Sequence, residues 1–385
     1  MNPEDFKAPQ AGRVVRTAQG FAAFVPAPPP PRLELSLELA NALSAADAAL
    51  GELSGLGGVV PHPRLLIAPY VRLEAVSSSR IEGTQASLSD VLADEAGQPS
   101  AVPPDDVREV RNYVVALEYG VKRLATLPLS LRLVCELHER LMQGVRGGYA
   151  TPGQFRRSQN WIGPSGSTPA TATYVPPPVE EMKEALGHWE KFLHVRETLP
   201  DLVQCALMHE HFEAIHPFLD GNGRVGRLLI TLFLIERGRL SQPLLYLSEF
   251  IERHRRDYYA NLQAVRTHGD WNNWLIYFLN GVHWSARRAI RQARQLIQLR
   301  ENLLRRVAAV PRALPVVDAL FENPYLAPAR VMELTGVSDP TARKLIGRLA
   351  SAGIVEETTG KQWGKRYVAR EVLKAIEDPG EEPHV

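Results

Sequence analysis

His216-Pro217-Phe218-Leu219-Asp220-Gly221-Asn222-Gly223-Arg224-Val225-Gly226-Arg227 gathers a base, a carboxylate, an Asn between two glycines and two arginines into one short stretch. Downstream, residues 228–235 are apolar, with Leu228, Leu229, Leu232 and Ile235 at helical spacing. Upstream, 201–215 also reads as a helix, with Asp201 able to cap it and Val203, Leu207 and Ile215 on its apolar positions. The stretch is therefore a glycine-rich loop between two helices, opening the second.

That placement suggests a chemistry. The first turn of a helix carries free N–H donors and the positive end of the dipole, a ready anion site. Gly221 and Gly223 let the backbone approach a phosphate without a Cβ in the way. Arg224 and Arg227 share one helical face and offer planar forks to phosphate oxygens. Asp220 suits Mg²⁺, and His216 is the side chain whose ordinary pKa fits a general base. Together they describe attack by a hydroxyl on a nucleotide phosphate.

The stretch resembles the signature of the Fic family, His-x-Phe-x-(Asp/Glu)-Gly-Asn-Gly-Arg-x-x-Arg, at every fixed position. The resemblance implies a nucleotidyltransferase that moves AMP from ATP to a Ser, Thr or Tyr hydroxyl of a target protein. It implies that His216 deprotonates the hydroxyl and that Asp220 holds Mg²⁺ against the phosphates. Gly221, Asn222 and Gly223 would form the anion hole, Arg224 and Arg227 would position the outer phosphates, and Phe218 would anchor the loop.

A second stretch gains meaning beside the first. A helix is expected over 69–80, ended by Gly83, with Ser87 and Asp90 as a capping box for the next. Ser78-Ser79-Arg80-Ile81-Glu82-Gly83 resembles the inhibitory motif (Ser/Thr)-x-x-x-Glu-(Gly/Asn) of many Fic proteins. Ser78 and Glu82 stack on one face, and the resemblance pairs Glu82 with Arg227. An arginine so held cannot clamp a phosphate, and a misplaced phosphate slows in-line attack steeply.

Between 156 and 178 the periodicity changes. Asn160-Trp161-Ile162-Gly163 and Ala172-Thr173-Tyr174-Val175 are β-prone and joined by a turn-rich segment, so a hairpin is expected. Its exposed edge would accept a target segment by strand addition. The resemblance makes 158–176 the target-docking flap, with Trp161, Ile162, Gly163, Thr173, Tyr174 and Val175 on it.

Elsewhere the chain reads as helix on helix. Residues 1–32 show little pattern and end in a proline run, and helices are expected over 33–56, from Asp105, and from Ser130, the last ended by Gly144, Gly147 and Gly148. A helix over 248–265 capped by Ser248 brings Tyr258 and Tyr259, which the resemblance assigns to the nucleoside pocket. Asp270 caps a helix over 271–281, and 283–307 is a separate connecting helix. His209 and His211 lie two apart on a helix, hence on different faces, which argues against a metal pair.

The C-terminal part changes character after Pro311 and Pro315. Short helices over 316–321, 327–334 and 341–349, then a hairpin over 354–356 and 366–368, read as a winged helix-turn-helix. Thr341, Arg343, Lys344 and Arg348 on the third helix and Lys361, Lys365 and Arg366 on the wing would meet DNA, against the acidic Glu356, Glu357, Glu377, Asp378, Glu381 and Glu382.

The expected fold is mainly α: a Fic-type bundle with a β-hairpin flap and a C-terminal winged helix-turn-helix domain. The expected division is 1–110 with the inhibitory helix, 111–282 the catalytic core, 283–310 a connecting helix, 311–376 the winged-helix domain and 377–385 an acidic tail. A hydrophobic fraction of 45%, a charged fraction of 23% and a net charge of +1 describe an ordinary soluble protein with no global field for nucleic acid or membrane. Cys135 and Cys205 sit in amphipathic helices and are expected to be buried thiols; with no apolar run of membrane length, the cytoplasm is the expected compartment. The reading is an ATP- and Mg²⁺-using protein AMP-transferase, auto-inhibited by Glu82. The alternatives are a nucleotide-sensing transcriptional regulator or a related Fic reaction such as AMP removal. ATP and a flap-docked target protein are the expected partners, with a homodimer and DNA left open.

Overall fold

The computed structural model describes residues 1–385 apart from 60–63, 99–101, 146–150, 361–363 and 379–385. Gly147, Gly148, Lys361, Glu381 and Glu382 therefore lie outside the described residues.

Two helices form the centre: α7 (Asp201–Ile215) and α8 (Asn222–Glu236) in the run α1 (Leu37–Val59), α2 (Arg64–Ile81), α3 (Leu88–Glu95), α4 (Pro104–Arg123), α5 (Leu131–Leu141), α6 (Val179–Leu193), α7, α8. Every residue of α7 from Leu202 to Ile215 is buried, as are most of α8. A helix covered on all sides belongs in a core, and here α2, α4, α5, α6 and the later α11 (Trp271–Arg306) pack around the pair. The signature loop, joining α7 to α8, is thus held at both ends by deeply buried helices.

Several local expectations change. Asp201 is the first residue inside α7; Pro200 occupies the cap position. α1 runs through Gly57 and Gly58, and Gly57 fits there because it lies against the 241–244 segment: a Cβ there would come within 2.6 Å of Leu244 Cδ1. α2 begins at Arg64 and contains Pro69. The capping box of Ser87 and Asp90 is present, as is the Ser130 cap of α5.

Beyond α8 come α9 (Ser248–Arg253), α10 (Arg255–His268) and α11 (Trp271–Arg306). The single helix expected over 248–265 is broken at His254. Ser248 does not cap it, since its hydroxyl and N–H both donate to the buried Glu74 carboxylate of α2. Asp270 does cap α11, by accepting the Asn273 N–H. That helix then continues without a stop across residue 282, so the expected separate connecting helix is its second half.

The first residues hold more structure than their composition suggested. β1 (Gly12–Arg16) and β2 (Ala22–Pro26) form an antiparallel hairpin, in register from Gly12↔Pro26 to Arg16↔Ala22. Phe24 packs with Tyr174 and Val175 in a small separate cluster, and the Phe24 N–H donates to Val175 O at 2.8 Å.

The C-terminal part comprises α12 (Ala313–Glu322), β3 (Tyr325–Leu326), α13 (Pro328–Thr335), α14 (Asp339–Ser351), β4 (Glu356–Glu357), β5 (Tyr367–Val368) and α15 (Arg370–Glu377). Its strands make one antiparallel sheet in the order β3-β5-β4. β3 and α15 had no expectation behind them. α12 packs on α2, and Gln292 of α11 donates to Ile376 O of α15. Arg366, expected on a free wing, instead donates to Ala96 O and Gly97 O beyond α3. Cys205 is buried, Cys135 only half-buried, and both are free thiols. Among the described residues, no helix is long and apolar enough to cross a membrane.

Candidate active site

α7 ends where His216 adopts a left-handed conformation, φ 49° and ψ 61°, while its N–H still donates to Phe212 O at 3.0 Å. That conformation is unusual for a residue with a Cβ, and it is imposed from both sides. Arg156 Nε and Asn160 Nδ2 donate to the His216 carbonyl at 3.0 and 3.3 Å. Asn160 also donates to Phe218 O at 2.7 Å, and Arg156 reaches Ser158 O and Pro177 O. Both side chains come from the base of the flap, so flap and loop form one bonded unit. Neither was singled out from the sequence; a buried Arg donating to several carbonyls has no local pattern.

Asn222 closes the loop on itself. Its Oδ1 accepts the Phe218 N–H and its Nδ2 donates to Phe218 O, both at 2.8 Å. The side chain is thus occupied within the loop, and what Asn222 can offer an anion is its backbone N–H. The Phe218 ring is fully buried and stacks on the His138 imidazole at 3.7 Å with an angle of 6°. His138, on the Leu133-Leu137-Leu141 helix, is a second residue the sequence did not announce. Its Nδ1 accepts the Gly153 N–H at 2.9 Å, which leaves the proton on Nε2, 3.0 Å from Asp220 O. Burial pushes its pKa down to about 4, so it holds the loop as a neutral imidazole.

Gly221 begins α8 at φ 79°, and a Cβ there would lie 2.9 Å from Met142 Sδ. A Cβ on Gly223 would strike Glu82 Oε1 and Arg227. The two glycines therefore serve different needs, one conformational and one of clearance. The Asp220 side chain is 45% exposed at the loop mouth, with Oδ1 accepting the Gly221 N–H at 2.6 Å.

Arg227 is only 2% exposed and firmly held. Its Nε donates to Ser78 Oγ at 2.9 Å, and one Nη donates to Ser78 O at 3.0 Å and to Glu82 Oε1 at 2.6 Å. Burial alone would raise the Glu82 pKa, but the Arg227 guanidinium outweighs it and holds the carboxyl below its usual range. Gly83, at φ 103°, turns the chain away just after Glu82. Ser78, Glu82 and Arg227 are thus brought together.

Burial, with the Arg266 and Arg156 charges, pushes the His216 pKa down to about 3. The imidazole is neutral at physiological pH, and its buried Nδ1 has no protein partner. Glu213, one turn before His216, is another buried group missed from sequence; burial raises its carboxyl to about 7, despite Arg227 nearby.

The paired tyrosines divide. Tyr258 is 1% exposed, its hydroxyl 2.8 Å from His209 Nε2, so it belongs to the core. Tyr259 is 44% exposed and is the one open to a ligand. In the flap, Ile162 and Tyr174 exchange a pair of backbone hydrogen bonds at 2.8 and 3.0 Å. Tyr174 and Val175 face inward, the Tyr174 hydroxyl donating to Ala214 O at 2.7 Å, while Trp161, Gly163 and Thr173 are exposed. The edge beyond 173–175 is partly taken by Phe24, which leaves 160–163 as the outer edge.

Residues 128–234 match the family described as Fic/DOC family, and residues 40–122 the Fic/DOC family N-terminal. Among curated proteins, the chain is similar to Protein adenylyltransferase Fic of Nematostella vectensis, 29% identical over 224 residues, covering 55% of this chain and 47% of that protein. It is similar to the protein of the same name from Aedes aegypti, 30% identical over 171 residues, covering 41% of this chain and 30% of that protein. The chain thus spans less than half the length of these curated relatives. Among solved structures, a Fic family protein from Desulfovibrio desulfuricans G20 superposes with a TM-score of 0.59 at 22% identity, covering 89% of this chain and 98% of that one. Fic-1 from C. elegans gives 0.51 at 22% identity, covering 66% and 72%. At these identities the likeness is one of fold.

Proposed function

We propose, for a chain that is a Fic/DOC family protein carrying the family's N-terminal domain, that it transfers AMP from ATP to a Ser, Thr or Tyr hydroxyl of a target protein, and that Glu82 holds this activity down. The observation that carries the reading is the pairing of a neutral, partly orphaned His216 with an arginine, Arg227, locked by Ser78 and Glu82. A phosphate clamp occupied by a carboxylate, close to a neutral base, supports an activity held in check.

His216 accepts the hydroxyl proton as the hydroxyl oxygen bonds to the α-phosphorus; the bond from that phosphorus to the β-bridging oxygen breaks, and pyrophosphate leaves. Incoming phosphate charge would raise the imidazole's basicity from its resting level. The N–H groups of Asn222 and Gly223 and the forks of Arg224 and Arg227 take the phosphate charge, the Gly221 N–H being bonded to Asp220. The half-exposed Asp220 carboxylate beside these donors fits Mg²⁺, which supplies charge neutralisation. The outer flap edge at 160–163 lines up a target segment, aided by the exposed Trp161.

The test is label transfer. ATP labelled on the α-phosphate should mark protein in a Glu82→Gly variant, and ATP labelled on the γ-phosphate should not. Loss of transfer in Glu82→Gly/His216→Ala with retained ATP binding supports the base; transfer from the γ-position overturns the reading.

A second reading has one observation in its favour. The order of α12, α13, α14 and the β3-β5-β4 sheet suits a winged helix-turn-helix reading, and Lys344 and Arg348 stand exposed on α14. On that reading the chain senses a nucleotide and binds DNA. Arg366, tied to the α3 end, and Arg343, paired with Asp339 at 2.7 Å, reduce the charge offered to phosphates.

A further inference from the structure

The two signature arginines are held very differently. Arg227 is held by three bonds of 2.6 to 3.0 Å through its Nε and one Nη. Arg224 is equally buried at 4% exposure, yet its contacts are long: 3.4 Å to Glu109 Oε2, 3.7 Å to Asp220 Oδ1 and 3.7 Å to Met142 Sδ. Its buried Nε has no partner at all. A buried guanidinium with unfilled donors is under-satisfied; at the first turn of α8 it lies where an anion would fill the deficit.

Glu109 explains why Arg224 is held loosely. The oxygen that faces Arg224 is the same Oε2 that accepts the Thr84 hydroxyl, at 2.7 Å. Thr84 follows Glu82 by two residues, and the next N–H, of Gln85, donates to Asp106 Oδ2 on the same helix at 2.9 Å. One carboxylate of α4 therefore answers to both the inhibitory segment and the phosphate-binding arginine, and the inhibitory segment has the shorter bond.

We infer that Glu109 is a positioning residue for Arg224, and that Thr84, by drawing on the same oxygen, keeps that positioning slack while Glu82 is docked. When the segment 82–84 withdraws, Arg227 loses its carboxylate and Glu109 loses its hydroxyl donor together. Glu109 Oε2, no longer tethered to Thr84, then closes on Arg224 and fixes the guanidinium over the loop. Withdrawal thus frees one arginine and orders the other. This rests on the reading that the loop takes a nucleotide triphosphate.

The test uses the full chain with Glu82→Gly, and its readouts are the Kd for Mg·ATP by titration calorimetry and the KM and kcat of label transfer. Glu109→Gln should raise Kd and KM on the order of tenfold while kcat changes less than about threefold. Thr84→Val, made in the chain that keeps Glu82, should lower the Kd for Mg·ATP by about two- to threefold, whereas in the Glu82→Gly chain it should change Kd little. If Glu109 merely braces the 83–86 loop, both substitutions loosen the same contact and shift Kd in the same direction; that result overturns the proposal. If Glu82→Gly binds Mg·ATP but transfers no label, the transferase reading fails while the Kd pair still decides the role of Glu109. Equal thermal midpoints for the variants separate positioning from unfolding.

Discussion

Arg227 Nη2 lies 2.6 Å from Glu82 Oε1, and 145 residues of chain separate the two. The contact is charge-assisted, largely desolvated on the arginine side and reinforced by the hydroxyl and carbonyl oxygens of Ser78. α2 can present these groups because Glu74 anchors it from within, accepting the Tyr113 hydroxyl and both donors of Ser248.

The strength of this contact should grade with the groups removed. Glu82→Gly is expected to raise α-label transfer by on the order of 100-fold, Glu82→Gln by less, and Ser78→Ala by about three- to tenfold. Initial rates at saturating ATP give the order; equal rates for Glu82→Gly and wild type would remove the inhibitory role.

His216 depends on Arg156 for its backbone conformation. Arg156→Ala strips donors from the carbonyls of His216, Ser158 and Pro177 and should cost about 3 kcal/mol, read from denaturant midpoints. Arg156→Lys should recover only part of this, because an ammonium cannot span the same acceptors.

His138 fixes the loop at Asp220. His138→Ala should lower transfer by the Glu82→Gly enzyme on the order of tenfold through a looser loop, with about 2 kcal/mol lost in stability. Because this imidazole is neutral far below pH 6, the effect should be the same at pH 6 and pH 8.

Glu213 should leave a mark on the pH dependence of stability. Its carboxyl is raised to about 7 in the folded protein, above an unfolded value near 4.5, so the folded state binds the extra proton between them. Its contribution is therefore full below about pH 4.5 and is lost as pH rises towards 7. Glu213→Gln should flatten that decline and be the more stable form at pH 8, by on the order of 2 kcal/mol in chemical denaturation.

Much of this was legible in the sequence because it is local. The signature loop between two helices, the Ser87–Asp90 box, the Ser130 cap and the short helices of the C-terminal part follow from spacing within a few residues. The β1/β2 hairpin escaped because its short strands gain their stability from Tyr174 and Val175, far along the chain. Ser248 was misread as a cap because its partner, Glu74, lies on another helix.

By itself the sequence determined which side chains share the α7–α8 loop, and that Ser78 and Glu82 lie one turn apart; the structure ends α2 at Ile81 and puts Glu82 in the turn just beyond it. Only the tertiary structure decided that Tyr258 is core while Tyr259 is open, and that Asn222 is occupied within its loop. Only it could bring Arg156, His138 and Glu109 to the loop, or set Arg227 tight and Arg224 slack. The reason is physical: a helical repeat fixes the direction of a side chain, whereas its burial and partners depend on which distant elements the core packs against it.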